Sequence, residues 1–214
     1  MNSDTGYQLY WEALSGAIAP EMLLTEMQLA FEKIPVDMSA GEHKTPEYLA
    51  VNPSGQVPAL RLPDGTLIGE SAAMILSIGE RHPQSPFVPM VGDPDRPIFL
   101  HWLLYMATSM YMSFVRANHP ERYTTEGESI EPIRAAALQA AERQFAVIDQ
   151  AIRSTPHFLP RGFCALDMYL TMLTAWHPDR QSLFSRHKRV GASVQATLDR
   201  PACGRIMAEH LAQA

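Results

Sequence analysis

The chain is poor in cysteine, with two in 214 residues. Two thiols cannot build a disulfide framework, and they fit a reducing compartment. Positive charge is also short: 17 Lys and Arg stand against 23 Asp and Glu, a formal net charge of −6. A partner gripped by its phosphate backbone needs a basic face, so nucleic acid is not expected. The start, MNSDTGYQLYWEAL, lacks the basic region and apolar run of a secretory signal. Eight His are present, yet His82, His101, His119 and His157 stand alone, without metal-ligand spacing, and no metal is expected. Internal repeats and low-complexity runs are lacking. Charge is missing altogether from Ile98 to Val115. That length reaches the bottom of the membrane-spanning range. The stretch carries His101, Thr108, Ser109, Ser113 and two Tyr, has no basic flank and has no second copy, so a helix buried on most faces is the expectation and a membrane partner is not.

What is present is an ordinary globular composition, 46% hydrophobic and 19% charged, which supports a sizeable core. The length allows one large domain or two small ones. Gln8–Trp11 reads as a short strand, about Ser15 to Ala30 as a helix with Pro20 in its first turn, and Lys33–Val36 as a strand placed at an edge by its Pro. A polar, Pro-containing loop follows. Val57–Leu62 and Thr66–Ile68 read as strands joined by Pro63-Asp64-Gly65, a sound hairpin turn. Ser71 is a suitable N-cap for a helix over 72–81. Then Pro83, Pro86, Pro89, Pro94 and Pro97 crowd into one segment, five of the chain's 17 Pro. Such spacing keeps helix from forming and marks a linker. Beyond it the pattern is helical over 97–117, 128–153, 164–176, 182–198 and 201–212. The expected organisation is 1–82 as an α/β domain, 83–97 as a Pro-rich linker and 98–214 as an all-helical domain.

Three local patterns in the α/β part carry chemistry. In Val51-Asn52-Pro53-Ser54-Gly55-Gln56-Val57-Pro58-Ala59-Leu60, Pro58 opens a strand. A cis bond before it turns the Val57 backbone outward, free to pair with an extended peptide. Gly69-Glu70-Ser71 stands at a helix start, where backbone N–H groups, a hydroxyl and the helix dipole suit a carboxylate while Glu70 faces an ammonium. Leu9 to Ser15 puts a hydroxyl between a strand and a helix.

Together these patterns resemble the cytosolic glutathione transferases, over nearly the whole chain. The resemblance implies an α/β plus all-α fold: a thioredoxin-like N-terminal domain that binds glutathione, followed by an all-helical C-terminal domain that forms the second-substrate pocket. By position, Gln56 and Val57 resemble residues that hold glutathione, Pro58 the family's cis-Pro, and Glu70 and Ser71 the pair that binds its γ-glutamyl group. His43 or Lys44 stands where several classes place a group near the glycyl carboxylate. Gly162 to Asp167 looks like the family's helix-capping motif, with Cys164 where Ser or Thr is preferred, so a slightly weaker cap is expected. The implied protein is a cytoplasmic homodimer in detoxification chemistry, with glutathione as co-substrate and an apolar electrophile as the other.

A free thiol titrates near pH 8.5, and a hydroxyl donating to sulfur beside a helix N-terminus favours the thiolate, by about 1.4 kcal/mol for each tenfold gain in its ionisation. Ser15 has the register of the catalytic serine of theta-like and zeta-like classes; the next residue, where the bacterial beta class places Cys, is Gly16. Ser15 reads equally as a plain N-cap, and Tyr7 and Tyr10 are rivals for the thiol. Cys164 and Cys203 read as buried and inert. Tyr105, Met106, Ser109 and Met110 are candidates for the second-substrate wall, because Met moulds to varied shapes, and core packing is the alternative. A glutathione-dependent isomerase, dehalogenase or lyase on the same site, or a non-catalytic binding or regulatory module, are the other readings.

Overall fold

The computed structural model describes residues 6–213. In chain order the elements are β1 (Tyr7–Trp11), α1 (Ile18–Glu26), β2 (Phe31–Pro35), α2 (Pro46–Leu49), β3 (Ala59–Arg61), β4 (Leu67–Ile68) and α3 (Ser71–Arg81). There follow α4 (Arg96–Tyr105), a π-helical turn over Met106–Met110, α5 (Tyr111–Asn118), α6 (Ile130–Ala151), α7 (Ala165–Ala175), α8 (Arg180–Arg186), α9 (Lys188–Leu198) and α10 (Pro201–Ala212). The chain divides into two compact units: Met1–Val91 with Leu198–Ala214, and Gly92–Thr197. The division falls inside the Pro-rich segment, and α10 counts with the first unit.

In the first unit the strands order as β2-β1-β3-β4. The β1–β2 pair is parallel and the others antiparallel, a thioredoxin-like sheet with β2 at the edge. Alternation in β1 puts Tyr7, Leu9 and Trp11 inward. The β3–β4 hairpin turns through Gly65, whose φ of +87 is left-handed, and Asp64 Oδ1 accepts the Thr66 N–H at 2.9 Å. Helix α1 packs against α3 and α10, which leaves Ile18, Met22, Leu23 and Leu24 fully buried. Each such side chain contributes about 1.5–3 kcal/mol by leaving water. Pro20 sits in the first turn, as its missing N–H requires.

In the second unit the helical stretch Arg96–Asn118 is long and apolar enough to cross a membrane by length and composition. Its Phe99, Leu103, Met106, Met110, Phe114 and Ala117 recur at helical spacing and are buried in the unit's own core. Cys164 is the N-cap of α7, and Asp167 closes a capping box: its Oδ2 accepts the Cys164 N–H at 2.9 Å.

Three expectations need correction. Ser71 is the first helical residue and not the N-cap; Glu70 holds that place, with φ 60 and ψ 106 and no side-chain cap bond. The helix expected over 182–198 is two, broken at His187. The His187 ring stacks on Phe145, and a remote carboxylate starts the next helix: Asp149 Oδ1 accepts the N–H groups of Arg189 and Val190 at 2.8 and 3.0 Å. The loop after β2 contains the short helix α2, which Thr45 caps by accepting the Tyr48 N–H at 3.3 Å.

Candidate functional site

Strand register gathers the three sequence patterns. Tyr10 pairs with Ala59 and Leu60 with Ile68, both antiparallel. Continuing those registers sets Pro58 level with Trp11, and Glu70 just past the end of β4. The C-terminal end of β1, the N-terminal end of β3 and the start of α3 therefore share one end of the sheet. There the loop 12–17, the segment Gln56-Val57-Pro58 and the pair Glu70-Ser71 converge.

The approach to β3 is built by buried polar side chains. Tyr48 Oη donates to the Gln56 carbonyl at 2.7 Å, and Asn52 Nδ2 donates to the same oxygen at 2.8 Å. Burial pushes the Tyr48 hydroxyl up to about 12, so it stays a donor. Asn52 Oδ1 accepts from the Ser54 N–H and hydroxyl at 3.2 and 2.9 Å. Gly55, φ +60, crosses this turn so tightly that a Cβ would lie 3.1 Å from the His43 carbonyl. Lys44 Nζ donates to the Gly55 carbonyl at 3.1 Å, which draws the His43–Lys44 turn to the same loop. The Val57–Pro58 bond is cis, both residues are buried, and Gln56 is exposed. Val57 packs with Val36 and Tyr48, and Tyr10 and Met38 lie against this cluster.

Glu70 combines an exposed side chain with a φ of 60. A non-glycine residue in that region is held there by its surroundings and marks functional sites. Ser71 is buried behind it as the first residue of α3, at the positive end of that helix. A positive helix end beside an exposed carboxylate suits a zwitterion, one group for each charge.

Ser15 is half-buried, and its Oγ accepts the Ala17 N–H at 3.2 Å. Ala17, and not Ser15, is the N-cap of α1, so the expected capping role is not found. An oxygen that accepts keeps its own O–H to donate, so this loop hydrogen bond and a donor to a ligand coexist in one side chain. Gly16 behind it is buried. Tyr7 is 4% exposed and its hydroxyl meets His82 Nε2 at 2.9 Å; burial raises its pKa. Tyr10 stands edge-on to Tyr48, with ring centroids 6.0 Å apart. Cys164 and Cys203 are buried and free, and burial raises both thiols. Among the described residues no group of His, Cys, Asp and Glu could hold a metal.

Tyr105, Met106, Ser109 and Met110 belong to the second unit, at its π-helical turn. Met106 and Met110 are fully buried, while Tyr105 and Ser109 are half-buried. Single π turns inside α-helices recur at functional sites. Two organising residues escaped sequence reasoning: Tyr48, whose signal was only a Tyr in a polar loop, and Asn52, which stood inside the quoted motif without a role.

The glutathione S-transferase N-terminal domain family matches residues 19–81. The chain is 27% identical over 198 residues to Glutathione S-transferase GstA of Escherichia coli O157:H7, covering 91% of this chain and 94% of that one. The structure of a sphingomonad glutathione S-transferase complexed with glutathione is 28% identical, with a TM-score of 0.80 over 95% of this chain and 98% of the other. A Sulfitobacter glutathione transferase homolog with bound glutathione shares the fold at a TM-score of 0.87, at 23% identity over 96% of this chain and 98% of that one. Residues 19–81 thus belong to the glutathione S-transferase N-terminal domain family, and the fold of solved glutathione transferases is reproduced along nearly the whole chain.

Proposed function

We propose that the protein is a glutathione S-transferase: it binds glutathione at the common end of the sheet in the first unit and activates the thiol with Ser15 for attack on an apolar electrophile. The observation that supports this reading most is that the cis-bonded strand start, Gln56-Val57-Pro58, shares one end of the sheet with an exposed Glu70 beside the first turn of α3. The backbone of Val57 would pair with the peptide, the N–H groups of α3 and the Ser71 hydroxyl would take the γ-glutamyl carboxylate, and Glu70 its ammonium. His43 and Lys44 would lie toward the glycyl carboxylate; Lys44 keeps N–H groups beyond the one given to Gly55. Attack forms a carbon–sulfur bond, the electrophile's leaving group departs with the bonding pair, and the thiol proton goes to solvent. Tyr105 and Ser109, with Met106 and Met110 behind them, would face the apolar substrate.

Retention on immobilised glutathione and conjugation of a generic aryl halide test the proposal together. A folded protein that neither binds the column nor forms conjugate overturns it. Glu70→Gln keeps the size and removes the charge opposite the ammonium. It is expected to weaken glutathione about tenfold, at the low end for a charged hydrogen bond, read as KM or as a calorimetric Kd.

The same reading includes a cytoplasmic homodimer. Ile98 and Leu104 are 43% and 49% exposed on a helix without charge from Ile98 to Val115, and a second copy would cover them. Leu104→Glu is expected to shift the protein from dimer to monomer in sedimentation velocity; a wild-type monomer at all concentrations overturns the dimer.

A further inference from the structure

Helix α1 is buried at Ile18, Ala19, Pro20, Met22, Leu23 and Leu24, and among them stands a carboxylate, Glu21, 2% exposed. A charge so placed persists only when paired and hydrogen-bonded. Lys33 Nζ donates to its Oε1 at 2.8 Å, and His210 Nε2 lies 3.0 Å from its Oε2. Burial raises the Glu21 carboxyl, and the bonds from His210 and Lys33 outweigh it and hold the group below its ordinary range.

The other side of the His210 ring fixes where its proton sits. The Leu14 N–H donates to His210 Nδ1 at 3.1 Å. A nitrogen that accepts there carries no proton, so the neutral ring has its proton on Nε2 and gives it to Glu21; these partners assign the tautomer. The ring is fully buried on α10, with Trp11 edge-on at 5.2 Å, Lys33 lying 4.1 Å over Trp11, and Glu209 3.4 Å from Lys33. Leu14 has a φ of 51, left-handed for a bulky residue, a conformation that survives only where neighbours over-determine it. Ser15 follows it directly.

We propose that His210 is a positioning residue for the thiol site: it holds Leu14 in its left-handed conformation, and so sets the direction of the Ser15 hydroxyl, by accepting the Leu14 amide with one ring nitrogen while the other is anchored on Glu21. The C-terminal helix thereby fixes a loop that precedes it by 196 residues. The inference rests on the reading of Ser15 as the partner of the glutathione thiol, and its test has a readout that does not.

Two full-length variants separate the two ring nitrogens. The Asn side-chain oxygen takes the place of Nδ1, and the Gln amide nitrogen takes the place of Nε2. His210→Gln keeps the donor to Glu21 and loses the acceptor for Leu14; His210→Asn does the reverse. Amide hydrogen exchange of peptides covering 12–17 is measured alongside kcat and KM for glutathione. His210→Gln is expected to expose the loop to exchange and to lower kcat/KM roughly 10- to 100-fold, mostly through kcat, as a displaced reacting group does. The conservative His210→Asn is expected to recover loop protection and most of the rate. Equal exchange in both variants, or faster exchange in His210→Asn, overturns the proposal. If His210→Gln does not fold, His210→Asn alone decides, because loss of protection at 12–17 in that variant overturns it too. A wild-type protein that binds no glutathione sinks the transferase reading, and the exchange comparison still decides whether His210 holds the loop.

Discussion

Asp167→Ala is expected to cost about 3–5 kcal/mol of stability, read as a lower denaturant midpoint at unchanged slope. The carboxylate is fully buried and gathers three donors: the Cys164 N–H at 2.9 Å, the Phe158 N–H at 2.8 Å and the Ser193 hydroxyl at 2.9 Å. These tie the start of α7 to the loop before it and to α9. Burial raises the Asp167 carboxyl, and the N–H groups of Cys164 and Phe158 and the Ser193 hydroxyl pull against that rise without cancelling it. Alanine removes the acceptor and leaves every donor buried, at about 1–3 kcal/mol for each that water does not reach. Asp167→Asn separates charge from shape. Its oxygen serves Phe158 and Ser193, but its NH2 turns a donor toward the Cys164 N–H, so an intermediate loss is expected. A loss below about 1 kcal/mol for Asp167→Ala would mean that water reaches the three donors, and the network would then carry little of the protein's stability. Cys164 at the cap does not enter this balance strongly, because the bond that matters runs from its backbone to Asp167 and is indifferent to its side chain.

The network also shows which parts of the structure are written locally. The hairpin at Pro63-Asp64-Gly65, the start of α10 at Pro201 and the edge position of Pro35 rest on residues whose own backbone preferences act over three or four positions, and they are readable without a neighbour. The motifs Gln56-Val57-Pro58 and Glu70-Ser71 are legible for the same reason, since each is a short backbone device. What local pattern misses is held from afar. Helix α9 takes its cap from Asp149, some forty residues upstream, so no residue near Lys188 announces a helix start. Glu70 occupies the place that Ser71 fills in a simple capping rule, because a left-handed residue ends β4 there and turns the chain directly into the helix. The π turn at Met106–Met110 leaves the apolar spacing of 96–118 nearly intact, so it reads as uninterrupted helix. His210 gives no local sign at all, standing on a helix whose sequence looks like any amphipathic end.

Ser15→Ala is expected to lower kcat/KM for conjugation roughly 10- to 100-fold near neutral pH, with the KM for glutathione little changed. The lower bound is a tenfold loss of thiolate, and the upper bound approaches the loss of a preorganised donor to a developing anion. The sign with pH is fixed by the chemistry. A donated hydrogen bond favours the thiolate, so it lowers the thiol pKa; removing it returns the bound thiol toward about 8.5. The ascending limb of kcat/KM should therefore move to higher pH in the variant. The gap to the wild type should narrow at alkaline pH, where both thiols are ionised. Ser15 Oγ also accepts the Ala17 N–H, so a purely structural serine has its own signature: a stability loss of about 1 kcal/mol, the net worth of one hydrogen bond, with a rate deficit that does not change with pH. Ser15→Thr keeps both the acceptor and the donor, and it should restore the low-pH limb if its methyl is tolerated against the loop. An unshifted pH profile in Ser15→Ala, at whatever rate, would remove the hydroxyl from the thiol's activation. It would leave the positive end of α1 as the group beside the sulfur.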